Sequence, residues 1–205
     1  MSSRRGTSRW EDKKRRTRDT IEAAAWRLFI RDGFDATTVD EIAEASGVAT
    51  RTFFRYFETK EAVLYGAWRE RLAELCDRLR DRPADEPPLV AIVNTLAGFV
   101  EELEDETSEL LQRARVAARS ERFGRYRHEV VEPTSVEAIA AVIAARLGVD
   151  VDRDVRPRLF AGVANVALNA ARDAWLANGG REPLSSMLQR TFAELGVPLR
   201  SRPRG

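Results

Sequence analysis

The sequence predicts an all-α protein of about nine helices. Three observations lead there. Apolar residues recur at offsets of three and four along most of the chain. Glycine and proline are sparse and sit at the borders between such segments. No stretch shows the apolar–polar alternation of a strand, and no repeat or long heptad pattern occurs.

The first segment is carried by Ile21, Ala24, Ala25, Leu28 and Phe29, one face of an amphipathic helix that Gly33 closes. Thr38 and Glu41 then stand three apart as a capping box, opening a short helix that Gly47 ends. A second short helix spans about 50–56. A third is expected to run unbroken from 59 to about 80, with Val63, Leu64, Ala67, Trp68, Leu72, Leu75 and Leu79 on one stripe. The stretch 82–88 holds three of the eight prolines and marks a hinge. Beyond it, helices are expected at 89–103 and 107–119. An interruption is expected near Pro133, then helices at 135–147, 153–178 and 184–195.

Charge narrows the function. Residues 1–18 hold eight basic and two acidic residues, a net +6, against a total of +1 for all 205 residues. The body is therefore mildly acidic and the basic end fits an anionic partner, unless it is only a solvated tail. A single cysteine, Cys76, excludes an intrachain disulfide, and a single histidine, His128, leaves little for catalysis or a metal site. His128 reads as a surface or capped residue. No cofactor and no metal are expected. The Arg-rich start lacks the apolar core of a signal peptide, and no apolar run approaches a membrane span. A cytoplasmic protein with no membrane partner is expected.

Two short helices joined by a tight turn with glycine form a helix-turn-helix, in which the second helix enters the major groove of double-stranded DNA. Ile42, Ala43, Val48, Phe53 and Phe57 suit the inside. Thr52, Arg55 and Tyr56 share an outward face, with Thr50 and Arg51 near the helix start. Arg55 suits guanine O6 and N7. Lys60, at the start of the next helix, suits a phosphate.

Residues 37–64, TTVDEIAEASGVATRTFFRYFETKEAVL, resemble the DNA-binding domain of TetR-family transcriptional regulators. The resemblance implies that Thr50, Arg51, Thr52, Arg55 and Tyr56 face DNA, with Thr38 and Lys60 on phosphates. It also implies a homodimer on a palindromic operator, a C-terminal ligand-binding domain, and repression relieved by a small molecule. Ala49 departs from the pattern, which often has a capping Ser there. Losing that cap costs about 0.5–2 kcal/mol unless Thr50 substitutes. Residues from about 120 to 196 resemble actinobacterial regulators of the mycofactocin-regulator type, some of which respond to acyl-CoA.

The expected organisation is a disordered basic arm at 1–14, a helix-turn-helix domain at 15–60, a ligand-binding and dimerisation domain at 61–198, and a disordered tail at 199–205. Small residues including Ala167 and Ala171, with Leu188 and Phe192 on the last helix, suit a four-helix dimer interface; the alternative is that they close the core of one chain. Phe99 and Leu103, with Asn165, Asn169 and Arg172 as polar handles, suit a cavity for a small hydrophobic or acyl ligand. The alternative is that those polar groups bond across helices. Trp26, Trp68 and Trp175 read as core or interface anchors. A regulator governed by a protein partner, without a small ligand, is the nearest rival reading. An all-α enzyme is the rival from another class, but no phosphate loop, metal-ligand cluster or Ser/Cys–His pair supports it.

Overall fold

The computed structural model describes residues 4–65, 68–103 and 107–197, with backbone alone for 4–12, 64, 103 and 107–110. These residues form helices α1 (Arg4–Asp32), α2 (Val39–Ala45), α3 (Thr50–Tyr56), α4 (Lys60–Leu64), α5 (Trp68–Arg80), α6 (Pro88–Leu103), α7 (Thr107–Ala118), α8 (Glu121–Tyr126), α9 (Glu132–Leu147), α10 (Val155–Ala177) and α11 (Leu184–Glu194). No strand occurs among them. The all-α expectation holds.

The chain folds as two compact units. The first comprises Met1–Arg69 with Val116–Gly124. Its core is Ile21, Trp26 and Phe29 of α1, Ile42 of α2, Phe53 of α3 and Val63 of α4, joined by Phe34, Phe57 and Phe123. Phe29 and Phe34 pack at 5.0 Å between ring centroids, a spacing at which aromatic pairs gain beyond simple burial. The helix ends follow local rules. The Gly33 N–H donates to the Phe29 carbonyl at 3.0 Å as the chain leaves α1. Thr38 and Glu41 exchange backbone N–H donations at 2.7 and 3.2 Å, the capping box expected at the start of α2. The Thr38 N–H and the Thr38 hydroxyl both donate to Glu41 Oε2, and these two bonds hold the Glu41 carboxyl below its usual range.

Three boundaries differ from the sequence reading. Helix α1 begins at Arg4, within the stretch expected to be a disordered arm. Between Arg5 and Asp32 there is no proline and Gly6 is the one glycine, so the Arg-, Lys- and Ala-rich stretch can propagate a helix. The helix expected over 59–80 is described as α4 and α5, with 66–67 outside the described residues. Pro133 does not interrupt its helix. It lies in the first turn of α9, directly after a turn in which the Glu132 N–H reaches back to the Arg127 carbonyl, and a proline is tolerated in a first turn. A π-helical turn, Arg127–Val131, links α8 to α9. The tail at 199–205 lies outside the described residues.

The second unit comprises Glu70–Arg115 and Arg125–Gly205. Its core draws on Leu79 of α5, Ile92 and Val93 of α6, Ile143 of α9, Trp175 of α10, and Leu188 and Phe192 of α11. Alanines at 161, 164, 167 and 171 face that core, which lets α9 and α11 approach the α10 backbone closely. The Arg146 guanidinium donates to the carbonyls of Leu79, Arg82 and Pro83 at 3.3, 2.8 and 2.7 Å. It thereby satisfies the end of α5, where carbonyls would otherwise lack partners.

Candidate nucleic-acid interface

Helices α2 and α3 are joined by a four-residue link, Ser46 to Ala49, whose hinge is Gly47 at φ +69°. A side chain there would strain the backbone, and glycine adopts the conformation freely. The Val48 N–H returns to the Ala43 carbonyl at 2.9 Å and closes the turn. Ala49 leaves α3 without a side-chain cap. Thr50 does not replace it: its hydroxyl donates to Asp40 Oδ1 at 2.6 Å, tying α3 to α2 instead.

Helix α3 buries Phe53, and the Phe57 that follows it is buried beside α1 and α2. Thr38, Arg51 and Arg55 are exposed; Thr50, Thr52 and Tyr56 are half-buried. The structure thus brings six of the seven residues expected at DNA to the surface of one small unit. The Arg55 guanidinium lies over the Tyr56 ring, 5.2 Å from its centroid. Burial pushes the Tyr56 phenol up, but hydrogen bonds with Thr17 and Arg55, and the charges of Arg55 and Lys14, outweigh it. The group is held below its ordinary value. The C-terminal end of α3 therefore adjoins the basic stretch of α1, where Arg18 also lies 5.3 Å from the Phe57 ring centroid.

Lys60 needs correcting. It is 8% exposed. Its ammonium donates to the carbonyls of Phe34 and Thr37 at 2.6 and 2.7 Å, and sits 4.3 Å from the Phe34 ring centroid. Burial pushes its pKa down, and the nearby Arg122 charge adds to that. In this conformation Lys60 is a strut between α4 and the loop before α2, not a group reaching for a phosphate. The reading missed it because both acceptors lie more than twenty residues away in sequence. Phe54 was missed too. It is 51% exposed on the outer face of α3. The adjacent pair Phe53-Phe54 carried the signal, since neighbours on a helix point about 100° apart and a short helix packed on one side seldom buries two bulky rings in a row.

The expected dimer residues also need correcting. Ala167, Ala171, Leu188 and Phe192 are 4%, 1%, 0% and 0% exposed in the single chain, so they close its own core and have no surface to offer a partner. The exposed large apolar residues of α10 are Val155, Leu159 and Val166, and Ala170 is exposed on the same face. Their offsets of 0, 4, 11 and 15 fall within about 60° of arc at 3.6 residues per turn, opposite the buried alanines.

Two of the three polar handles expected in a ligand cavity have protein partners. Asn169 donates from α10 to Glu132 of α9 at 2.9 Å, the cross-helix alternative. Glu132 also meets Arg127 and the exposed His128, each at 3.3 Å. Arg172 pairs with Asp173 at 3.0 Å. Asn165 is half-buried on α10. Phe99 lies under the Arg78 guanidinium at 5.3 Å. The Leu103 side chain lies outside the described residues. No described helix is long and apolar enough to cross a membrane.

Comparison with known proteins places this geometry. The family described as "Bacterial regulatory proteins, tetR family" matches residues 21–65, which hold α2, α3, α4 and the core half of α1. The MftR C-terminal domain matches residues 86–200. The HTH-type transcriptional regulator TcmR of Streptomyces glaucescens is 33% identical over 168 residues, 80% of this chain and 74% of that protein. The structure of Thermus thermophilus FadR, a TetR-family transcriptional repressor in complex with lauroyl-CoA, is 26% identical with a TM-score of 0.56. That match covers 92% of this chain and 98% of that one. The fatty acid degradation regulator FadR of Bacillus halodurans, 20% identical, shares the fold at a TM-score of 0.58, over 89% of this chain and 99% of that one.

Proposed function

The chain belongs to the TetR family of bacterial transcriptional regulators, and from that premise we propose a dimeric, non-enzymatic repressor that a small acyl or otherwise apolar ligand releases from a palindromic operator. The observation that carries the DNA-binding part is the outward face of α3. Arg51 and Arg55 are exposed there on a helix anchored by buried Phe53, beside the basic stretch of α1. Phosphate contacts come from Thr38 and from the basic residues of α1, while Thr50, Thr52 and Tyr56 frame the base-reading residues. Lys60 supports α4 from within.

Two copies meet through the exposed stripe of Val155, Leu159, Val166 and Ala170, not through the buried face of α10. A dimer sets two recognition helices about 34–36 Å apart, one turn of duplex. Ligand binding in the second unit favours an arrangement with a different spacing, a population shift. The chain passes between the units more than once, and residues 116–124 of its second half fold into the first unit. There Ser120 donates to Asp35 at 2.8 Å, Arg122 pairs with Glu61 at 2.7 Å, and Phe123 stacks on Tyr65 at 5.1 Å. Those contacts supply a second path, besides α4 and α5, by which helix shifts in the second unit reach the first. The lauroyl-CoA bound to the 26%-identical relative supports an acyl ligand. Phe99 of α6 would line its chain, and Asn165, one turn before Asn169 on α10, would hold its polar end. The cytoplasm is the compartment in which such a regulator meets DNA.

The experiment is a gel shift of the full chain on the duplex upstream of its own coding sequence, repeated with lauroyl-CoA and free fatty acids. A retarded band that acyl-CoA abolishes supports the proposal. A band unaffected by any apolar acid, with no rise in melting temperature, removes the ligand part. No retarded band on that duplex or on any duplex from a random pool removes the whole.

A further inference from the structure

Three side chains point outward on α3: Arg51, Phe54 and Arg55. Arg55 is turned aside, its guanidinium over the Tyr56 ring and bonded to that phenol. The outermost pair is therefore Arg51 and Phe54, three residues apart. Phe54 keeps 51% of its surface open, although Phe53 beside it is fully buried. The two rings meet edge to face at 5.4 Å and 86°, so the buried ring orients the exposed one. An exposed phenyl on a helix that also exposes Arg51 and Arg55 gives a cationic face an apolar point.

A phenyl ring carries no hydrogen-bond donor or acceptor. In the major groove the apolar feature that a base pair presents is the C5-methyl of thymine, whereas an arginine pairs with guanine O6 and N7. Residues three apart on a helix are separated by about 4.5 Å along its axis. That is close to the rise of about 3.4 Å between successive base pairs. Building on the DNA-binding reading above, we propose that Phe54 determines specificity by packing on the C5-methyl of a thymine, in the base pair next to a guanine held by Arg51. The contact recognises the methyl group and not the base that bears it. A 5-methylcytosine at that position therefore replaces thymine, and cytosine or uracil does not.

The test uses full-length protein and a duplex selected by the wild type from a random pool. Each thymine is replaced in turn by deoxyuridine, which removes only the methyl. One thymine per half-site is expected to matter, its loss weakening wild-type binding about fourfold, the factor for one buried methyl-sized group. At that position 5-methylcytosine paired with guanine should bind several-fold better than cytosine paired with guanine. Phe54→Ala should bind the thymine and deoxyuridine duplexes equally, while losses from changing the neighbouring guanine persist. Phe54→Leu, which keeps an apolar side chain, should retain part of the methyl preference. Circular dichroism of Phe54→Ala should match the wild type, since the ring is not part of the core. The proposal is overturned if deoxyuridine is tolerated at every thymine, or if Phe54→Ala keeps the same sensitivity to it. A pool from which nothing is selected would instead overturn the DNA-binding reading.

Discussion

Replacing Lys60 with Met separates a strut from a phosphate contact. The side chain keeps its length and loses its charge. In the structure the ammonium makes two short donations to main-chain carbonyls, at 2.6 and 2.7 Å, from a site 8% exposed. Hydrogen bonds to a charged group contribute a net of about 1.5–3 kcal/mol each, which sets about 3–6 kcal/mol as the upper range for the pair. Burying the ammonium opposes this, which is why its pKa lies below the ordinary lysine value. The expected net loss for Lys60→Met is about 2–4 kcal/mol, which falls in the range seen when a buried network is broken. For a chain of this size that lowers the melting temperature by about 5–15 °C. The assay is thermal unfolding followed by circular dichroism, with the salt dependence of DNA binding measured well below the transition. A strut predicts a lower melting temperature and an unchanged slope of log K against log salt. A phosphate contact predicts an unchanged melting temperature and a slope shallower by about 0.9 per phosphate lost. The second pattern would refute the strut.

Gly47→Ala should destabilise the first unit by about 1–2 kcal/mol in urea titration, because φ is +69° there while the space for a methyl is open; no loss would show that the turn tolerates a side chain. Leu188→Ala should cost about 2–5 kcal/mol through a cavity in the second unit, whereas Val166→Glu should give monomers by light scattering with native helicity. A folded, dimeric Val166→Glu protein would move the interface off that stripe. Asp154 caps α10 and pairs with Arg156, the side-chain and backbone bonds from Arg156 together holding its pKa down at about 2. A lowered folded-state pKa contributes stability that is complete above the unfolded value of about 3.9 and is lost as pH falls through the folded value. Between pH 4 and pH 2 the wild type should therefore lose more of its melting temperature than Asp154→Asn. Parallel acid profiles would show that the pair contributes nothing.

Much of what rests on contacts within one turn of chain was legible in the sequence. The helix spans came from apolar periodicity, and the end of α2 from Gly47. The capping box came from the spacing of Thr38 and Glu41, because its two hydrogen bonds join residues three apart. The helix-turn-helix followed from the same local signals, with the inward set of Ile42, Phe53 and Phe57. Tertiary structure decided which apolar face is covered, and by what. Leu188 and Phe192 form a stripe in either case; only packing against α6 and α10 shows that one chain already fills it. The phase of α3 against its core put Phe53 inside and Phe54 outside. Lys60 turned inward because folding brought the carbonyls of Phe34 and Thr37 to its ammonium, across 26 and 23 residues. Residues 116–124 joined the first unit through Phe123, far in sequence from Phe34 and Tyr65. Hydrogen bonds and helix periodicity act over a few residues and leave a local imprint. Burial depends on which distant surfaces meet, and an apolar side chain has the same periodicity whether its cover comes from its own chain or from another.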